Sequence, residues 1–312
     1  MGDSEPAAGA VANALIAGVN KAGTTSLFVT LAGHPDIAPA SVKETRYFLP
    51  ARWGQPLEAR AVYERYWADA GDAPVRLEAT PAYFAGGPSL VRAVREVCGD
   101  AKILVVLREP VARLVSYFTF QQARLRIPGT MTLTEYLARA DALTDADFRD
   151  PANEVYFGAR GGAYADYLPD WTAEFGADVR VLFFEDLVGT PRDTVAAAAR
   201  FLGVDPARLP GDGLSSENRT TGFRNPRLQR VALGFNDRFE PFLRRHHGLK
   251  RRLRAAYLRV NGRALPVAVT DGERAALGAR YVEANARLVD QLRAMEVGVL
   301  PDWLSTEARS TS

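Results

Sequence analysis

The run Gly18-Val-Asn-Lys21-Ala-Gly23-Thr24-Thr25-Ser26 constrains this chain more than any other feature. It follows Asn13-Ala-Leu-Ile-Ala-Gly-Val, an apolar stretch of the kind buried on both faces in a parallel sheet. It precedes Ser26 to Ala32, whose apolar spacing predicts a helix. Strand, glycine loop and helix in that order gather backbone N–H groups and a helix N-terminus around one point. Hydroxyls and one ammonium add donors, so Lys21, Ala22, Gly23, Thr24, Thr25 and Ser26 read as an anion cradle. A nucleotide-triphosphatase loop, G-x-x-x-x-G-K-[ST], carries its lysine after the second glycine; here Thr24 follows Gly23 and the lysine stands in front.

The rest of the chain repeats the strand and helix alternation. Strands are predicted at Val75 to Ala79, Lys102 to Arg108 and Val179 to Phe184, and helices at Pro88 to Val97, from Pro110 onward, and at Tyr164 to Phe175. A helix over Pro191 to Leu202 ends at Gly203, and a last one runs from Asp271 to Met295 with Thr270 or Asp271 as its cap. Without a repeat or a composition break in the body, this predicts an α/β fold: a single domain over 13–305 with a central parallel sheet flanked by helices, and disordered tails at 1–12 and 306–312. Ligands of such sheets sit at the carboxyl ends of the strands.

Composition excludes several classes. A balance of 39 Lys+Arg against 37 Asp+Glu gives no global field for nucleic acid, so any anion site is built locally. The single cysteine, Cys98, rules out an internal disulfide and zinc clusters of the CxxC kind, and fits a reducing, cytoplasmic setting. No stretch is long enough to span a bilayer, and Asp3 and Glu5 stand where a secretory leader has basic residues. Lysines are so few, at 21, 43, 102 and 250, that each stands out against the arginines. The one concentrated charge run, Arg244 to Arg254, is a solvated helix face or a surface for an anionic acceptor or lipid headgroups.

Further blocks follow the loop: His34-Pro35-Asp36-Ile37, Lys43-Glu44-Thr-Arg-Tyr47-Phe48, Glu78-Ala-Thr80-Pro81-Ala-Tyr83-Phe84, Lys102 to Tyr117 with Arg108 and Ser116, Phe184-Glu185-Asp186-Leu187, and Thr221-Gly222-Phe-Arg224. In this order and spacing they resemble the sulfotransferases that use 3'-phosphoadenosine 5'-phosphosulfate (PAPS), most closely the heparan-sulfate type and its bacterial relatives. The likeness runs from Leu15 to Trp303. It implies that the strand-loop-helix is P-loop-like and binds the 5'-phosphosulfate, that Arg108 and Ser116 hold the 3'-phosphate, and that Gly222 and Arg224 lie in closing elements. It implies a carbohydrate or glycosylated small-molecule hydroxyl as acceptor, PAPS as donor, 3'-phosphoadenosine 5'-phosphate as product and no required metal. The chain departs from that pattern at Ala79, where the heparan-sulfate enzymes carry lysine, and at Arg46, where they carry histidine.

The residue chemistry agrees. An apolar strand ending in Arg108 puts a guanidinium at a strand terminus, where it can grip a phosphate bidentately while Ser116 donates a hydroxyl. Sulfuryl transfer needs in-line positioning, a stabilised leaving oxygen and a base for the acceptor proton. Lys21 is suited to the leaving oxygen. The resemblance assigns the base to Glu44, and Tyr47 and Phe48 beside it are expected to desolvate it partly and raise its proton affinity. Its bland alternative is a surface carboxylate paired with Lys43 or Arg46. Asp186 and His34 are the next candidates for a base, although His34 reads as a structural residue and Cys98 as core. Two other functions compete: a P-loop kinase or nucleotide-triphosphatase, disfavoured by the lysine placement, and a non-catalytic polyanion-binding module built on Arg244 to Arg254.

Overall fold

The computed structural model describes residues 10–211, 222–223, 225, 227–232, 234, 261–263 and 269–305. These form two compact units, one made of segments up to Arg113, from Gly161 to Asn218 and from Ala275 onward, the other of Leu114–Arg160 and Arg219–Arg274.

The first unit holds a sheet of five parallel strands: β1 (Ala14–Gly18), β2 (Ile37–Pro39), β3 (Val75–Ala79), β4 (Lys102–Leu107) and β5 (Val179–Phe183), in the order β2-β3-β1-β4-β5. β1 is buried along its whole length, and β4 from Ile103 to Leu107, which accounts for their unbroken apolar sequences. Helices α1 (Thr24–Leu31), α2 (Leu49–Arg52), α3 (Arg60–Glu64) and α4 (Gly87–Cys98) link the first four strands. Helix α5 (Pro110–Ala123) leaves β4 with its proline in the first turn, as expected; Glu109 caps it by accepting from the N–H groups of Val111 and Ala112 at 2.8 and 2.6 Å. After α6 (Leu133–Asp141) in the second unit come α7 (Leu168–Phe175), α8 (Phe184–Gly189) and α9 (Pro191–Leu202) of the first. α9 ends at Gly203 with φ 85°, a left-handed stop that suits glycine.

The sheet and its strand-loop-helix match the sequence expectation. Three details differ. β2 carries no strand signal, being three residues long with Pro39 at its end on the sheet edge. The predicted helix from Tyr164 begins as a separate 3₁₀ turn, Tyr164–Asp166, and the Tyr164 hydroxyl there donates to the Arg108 carbonyl at 2.7 Å. The predicted helix from Asp271 to Met295 is two, α10 (Asp271–Ala279) and α11 (Val282–Ala294); at the break, the Tyr281 ring packs against Gly162, where a Cβ would come within 2.8 Å. Thr270 caps α10 reciprocally with Glu273, at 3.2 and 2.9 Å.

His34 is structural, as expected: it is buried, and its ring bonds the Asp205 carbonyl at 2.8 Å and the Asp36 N–H at 3.1 Å. Cys98 is core, and burial pushes its thiol up to about 12. In the second unit α6 opens with a capping box, Thr132 with Glu135, and buries Tyr136, whose ring meets Phe118 edge-on at 5.2 Å and whose hydroxyl donates to the Val155 carbonyl at 2.9 Å. Among the described residues, no helix is long and apolar enough to cross a membrane. The run Arg244 to Arg254 lies outside the described residues.

Candidate active site

All five strands point the same way, so the residues after Gly18, Pro39, Ala79, Leu107 and Phe183 share one edge of the sheet. Most of the predicted site residues of the first unit come from those five exits.

The first exit is the glycine loop. β1 leaves its β4 neighbour through a register shift between Ile16 and Gly18, and the Val19 N–H returns to the Val106 carbonyl at 3.0 Å. Lys21 sits at φ 74° and Gly23 at φ 78°, so the chain turns twice through left-handed conformations before α1 begins at Thr24. A side chain at Gly23 would meet Leu187 and Phe184 of α8 at 3.0 and 3.1 Å. Glycine is required there for both space and φ. No side chain caps α1, whose first N–H groups remain available to an anion.

The fourth exit supplies Arg108. Its Nη1 donates to the Lys21 carbonyl at 2.9 Å, and the guanidinium lies over the Phe184 ring at 4.3 Å. Glu185 accepts from the Glu109 N–H at 3.0 Å and helps seat the same strand end. Burial lowers the Arg108 pKa, opposed by Glu185. Burial, joined by the positive charges of Arg108 and Lys43 and opposed by Glu44, brings the Lys21 ammonium down to about 8. Lys21 therefore lies within electrostatic range of Arg108, Glu44 and Lys43.

Glu44 comes from the second exit. Glu44 and Arg46 adopt φ 64° and 60°, a conformation costing non-glycine residues roughly 1–2 kcal/mol each. Single hydrogen bonds net about 1 kcal/mol, so a loop with two such residues needs several anchors. It has them: the Glu44 N–H donates to the Ala79 carbonyl at 2.9 Å and the Arg46 N–H to Thr80 Oγ1 at 3.3 Å. Lys43 Nζ bonds Glu44 Oε1 at 2.7 Å, with the two side chains 17% and 47% exposed. The ion-pair alternative is thus the observed geometry at one oxygen, and among the described residues Oε2 has no partner.

One expectation fails here. Tyr47 and Phe48 do not cover Glu44. Tyr47 stacks on Tyr63 at 4.5 Å and donates its hydroxyl to the Glu58 carbonyl at 2.7 Å, while Phe48 is fully buried against Tyr63 and Tyr83. Both rings belong to a core cluster beneath the loop, and the Glu44 side chain stays half-exposed.

Ser116 lies on α5 in the second unit, and Gly222 in a two-residue strand there, β6 (Gly222–Phe223), antiparallel to β7 (Gly262–Arg263). Arg224 lies outside the described residues. The structure also shows roles that sequence reasoning missed: Phe184 under Arg108, Tyr164 on its carbonyl, and a buried Glu78 beneath the Glu44 loop. A signal existed for two of them, because Phe184 ends a predicted strand beside the one that ends in Arg108, and Glu78 is an acid inside an apolar strand. Among the described residues, no group of three or more His, Cys, Asp or Glu is arranged to hold a metal.

Comparison with known proteins bears on the family and the fold. The family model described as "Sulfotransferase domain" matches residues 12–233. Human "Heparan sulfate glucosamine 3-O-sulfotransferase 6" is 30% identical over 258 residues, which is 80% of this chain and 70% of that protein. The human 3-O-sulfotransferase 3B1 is 28% identical over 218 residues, 67% of this chain and 50% of that protein, so this chain spans only about half of some relatives. A solved sulfotransferase from Alicyclobacillus acidocaldarius superposes with a TM-score of 0.59 at 23% identity, covering 76% of this chain and 96% of that one, and shares the fold. With a lysine-first loop at the end of β1, an arginine at the end of β4 and a family match over most of its length, the chain belongs to the sulfotransferase family.

Proposed function

We propose that this chain moves a sulfuryl group from PAPS to a hydroxyl of a carbohydrate or glycosylated small molecule. The observation that carries the reading is the pairing of Lys21, held at φ 74° in the glycine loop, with Arg108 at the neighbouring strand end and Glu44 in electrostatic range. The residues fit the donor's chemistry: N–H groups at the start of α1 and the Lys21 ammonium face one end of a polyanion, and Arg108 supplies a fork of donors for another. In the reaction, Glu44 takes the acceptor's hydroxyl proton as the acceptor oxygen bonds to sulfur. Lys21 stabilises the charge that grows on the phosphate oxygen as its bond to sulfur breaks. A carbohydrate acceptor is supported by the heparan-sulfate relatives named above. A cytoplasmic location is supported by the lone, buried Cys98.

Calorimetry with 3'-phosphoadenosine 5'-phosphate in the presence of a chelator tests the donor site. Binding is expected there and not with ATP plus Mg2+; the reverse result would return the kinase reading. Arg108→Ala is expected to weaken binding by about 1.5–3 kcal/mol, the range for a hydrogen bond to a charged group. Unchanged affinity in that variant would place the 3'-phosphate elsewhere.

The lowered Lys21 pKa adds a pH signature. In the donor-free protein the ammonium loses its proton near pH 8, and bound phosphates raise that value. The complex therefore holds more protons than the free protein above pH 8, so affinity is highest below pH 8. Above it, affinity falls by up to about tenfold per pH unit. Titrations between pH 6.5 and 9.5 are expected to show this slope in wild type and a flatter profile in Lys21→Met.

A further inference from the structure

Glu78 is fully buried near the end of β3, and its carboxylate is ringed by hydroxyls. Oε1 accepts from Thr45 Oγ1, from Thr80 Oγ1 at 2.9 Å and from the Tyr83 hydroxyl at 2.8 Å, while Oε2 accepts from the Tyr63 hydroxyl. Burial raises the Glu78 pKa, and these four hydroxyl donors oppose the rise. No described cation pairs with it.

The same hydroxyls face the other way onto the Glu44 loop. The Arg46 N–H donates to Thr80 Oγ1 at 3.3 Å, the Tyr47 N–H to Thr45 Oγ1 at 3.3 Å and the Phe48 N–H to the Tyr83 hydroxyl at 3.2 Å. A hydroxyl has one proton. Because each of the three gives its proton to Glu78, each presents lone pairs to the loop, and three successive N–H groups are fixed. Those contacts hold Arg46 at φ 60° and flank Glu44 at φ 64°, conformations that an untethered non-glycine loop leaves readily.

We propose that Glu78 is a positioning residue that orients Thr45, Thr80 and Tyr83 so that the loop over 44–48 aims the Glu44 carboxylate at the acceptor. The proposal rests on the sulfotransferase reading above, with Glu44 as its base. It also assigns a purpose to a buried acid that neither binds donor nor carries charge to the surface.

Four variants test it. Thr45→Val keeps shape and removes one tether; Glu78→Leu removes the common acceptor. Thr45→Ser keeps the hydroxyl, and Glu78→Gln keeps an acceptor oxygen that can occupy the Oε1 position, so each restores what its partner removes. With labelled PAPS and N-sulfated heparosan, Thr45→Val and Glu78→Leu are expected to lower kcat by about tenfold or more with the donor KM within about twofold, and the two conservative variants to recover most of it. Hydrogen exchange is expected to rise at 44–48 and stay unchanged at 102–107. In a Glu44→Gln background Thr45→Val is expected to add no further loss, because it acts only through Glu44. If Glu78→Leu does not fold, Thr45→Val decides alone. Wild-type exchange at 44–48 in Thr45→Val, full kcat in that variant, or an equal further loss in the Glu44→Gln background would each overturn the proposal. Wild-type protein that transfers no sulfuryl group would overturn the parent reading and this one with it, a result distinct from turnover that Thr45→Val leaves intact.

Discussion

Glu44→Gln is expected to lower kcat by about 10² to 10⁴-fold, the range that a positioned general base supplies, while leaving donor affinity nearly intact. Glutamine keeps the size of the side chain and one oxygen for Lys43, which bonds Oε1 at 2.7 Å, so the loop is not disturbed by the change. Alanine would confuse the result, because the loop is under backbone strain at φ 64° and loss of the ion pair would free Lys43 as well. The half-exposed setting of Glu44 makes closure over it by the acceptor part of the expectation, and turnover should depend on acceptor size. If Glu44→Gln keeps near wild-type kcat, Asp186 is the next residue to test, because His34 is committed to the Asp205 carbonyl and the Asp36 N–H.

Lys21→Ala is expected to cost about 10²–10³-fold in kcat, the scale for losing one preorganised donor to developing charge. Donor affinity should change less. The ammonium is already desolvated and crowded by Arg108 and Lys43, so a ground-state phosphate relieves part of that repulsion, but the larger gain arrives as the leaving oxygen becomes fully charged. A Kd that rises as much as kcat/KM falls would make Lys21 a binding residue only. The loop itself should survive the substitution. Gly23 and the Arg108 bond to the Lys21 carbonyl set its path, and neither needs the lysine side chain.

How far the sequence could be read depended on whether a local pattern carried the information. β1, β4 and α9 were legible because continuous apolar runs and flanking Pro or Gly mark them physically: Ile103 to Leu107 can only be buried, and Gly203 stops a helix. Lys21 and Arg108 were legible as candidates because charge placed beside a buried strand has few explanations. β2 was not, since an edge strand of three residues ending in Pro39 is held by its pairing to Val75 and Leu77, which no local pattern encodes. The break at Tyr281 was invisible as well, since the packing of its ring against Gly162 joins residues far apart in sequence. The expected cover of Glu44 by Tyr47 and Phe48 failed because adjacency in sequence says little about direction in a loop: two left-handed residues turn the aromatic pair inward and the carboxylate outward.

The position of β1 in the middle of the sheet bears on the order in which this protein can be built. Ala14 pairs with Leu77 on one side and Lys102 on the other, so the first strand of this sheet to be synthesised is the one that waits longest for partners. A nascent chain that ends before β4 has a glycine loop with no Arg108 to hold its carbonyl and an apolar strand with an open flank. Closing such long loops dominates the folding time of parallel sheets. Assembly of the donor site should therefore coincide with the slowest step of folding, and truncated chains lacking the segment after Ala101 should be sticky intermediates rather than weak binders.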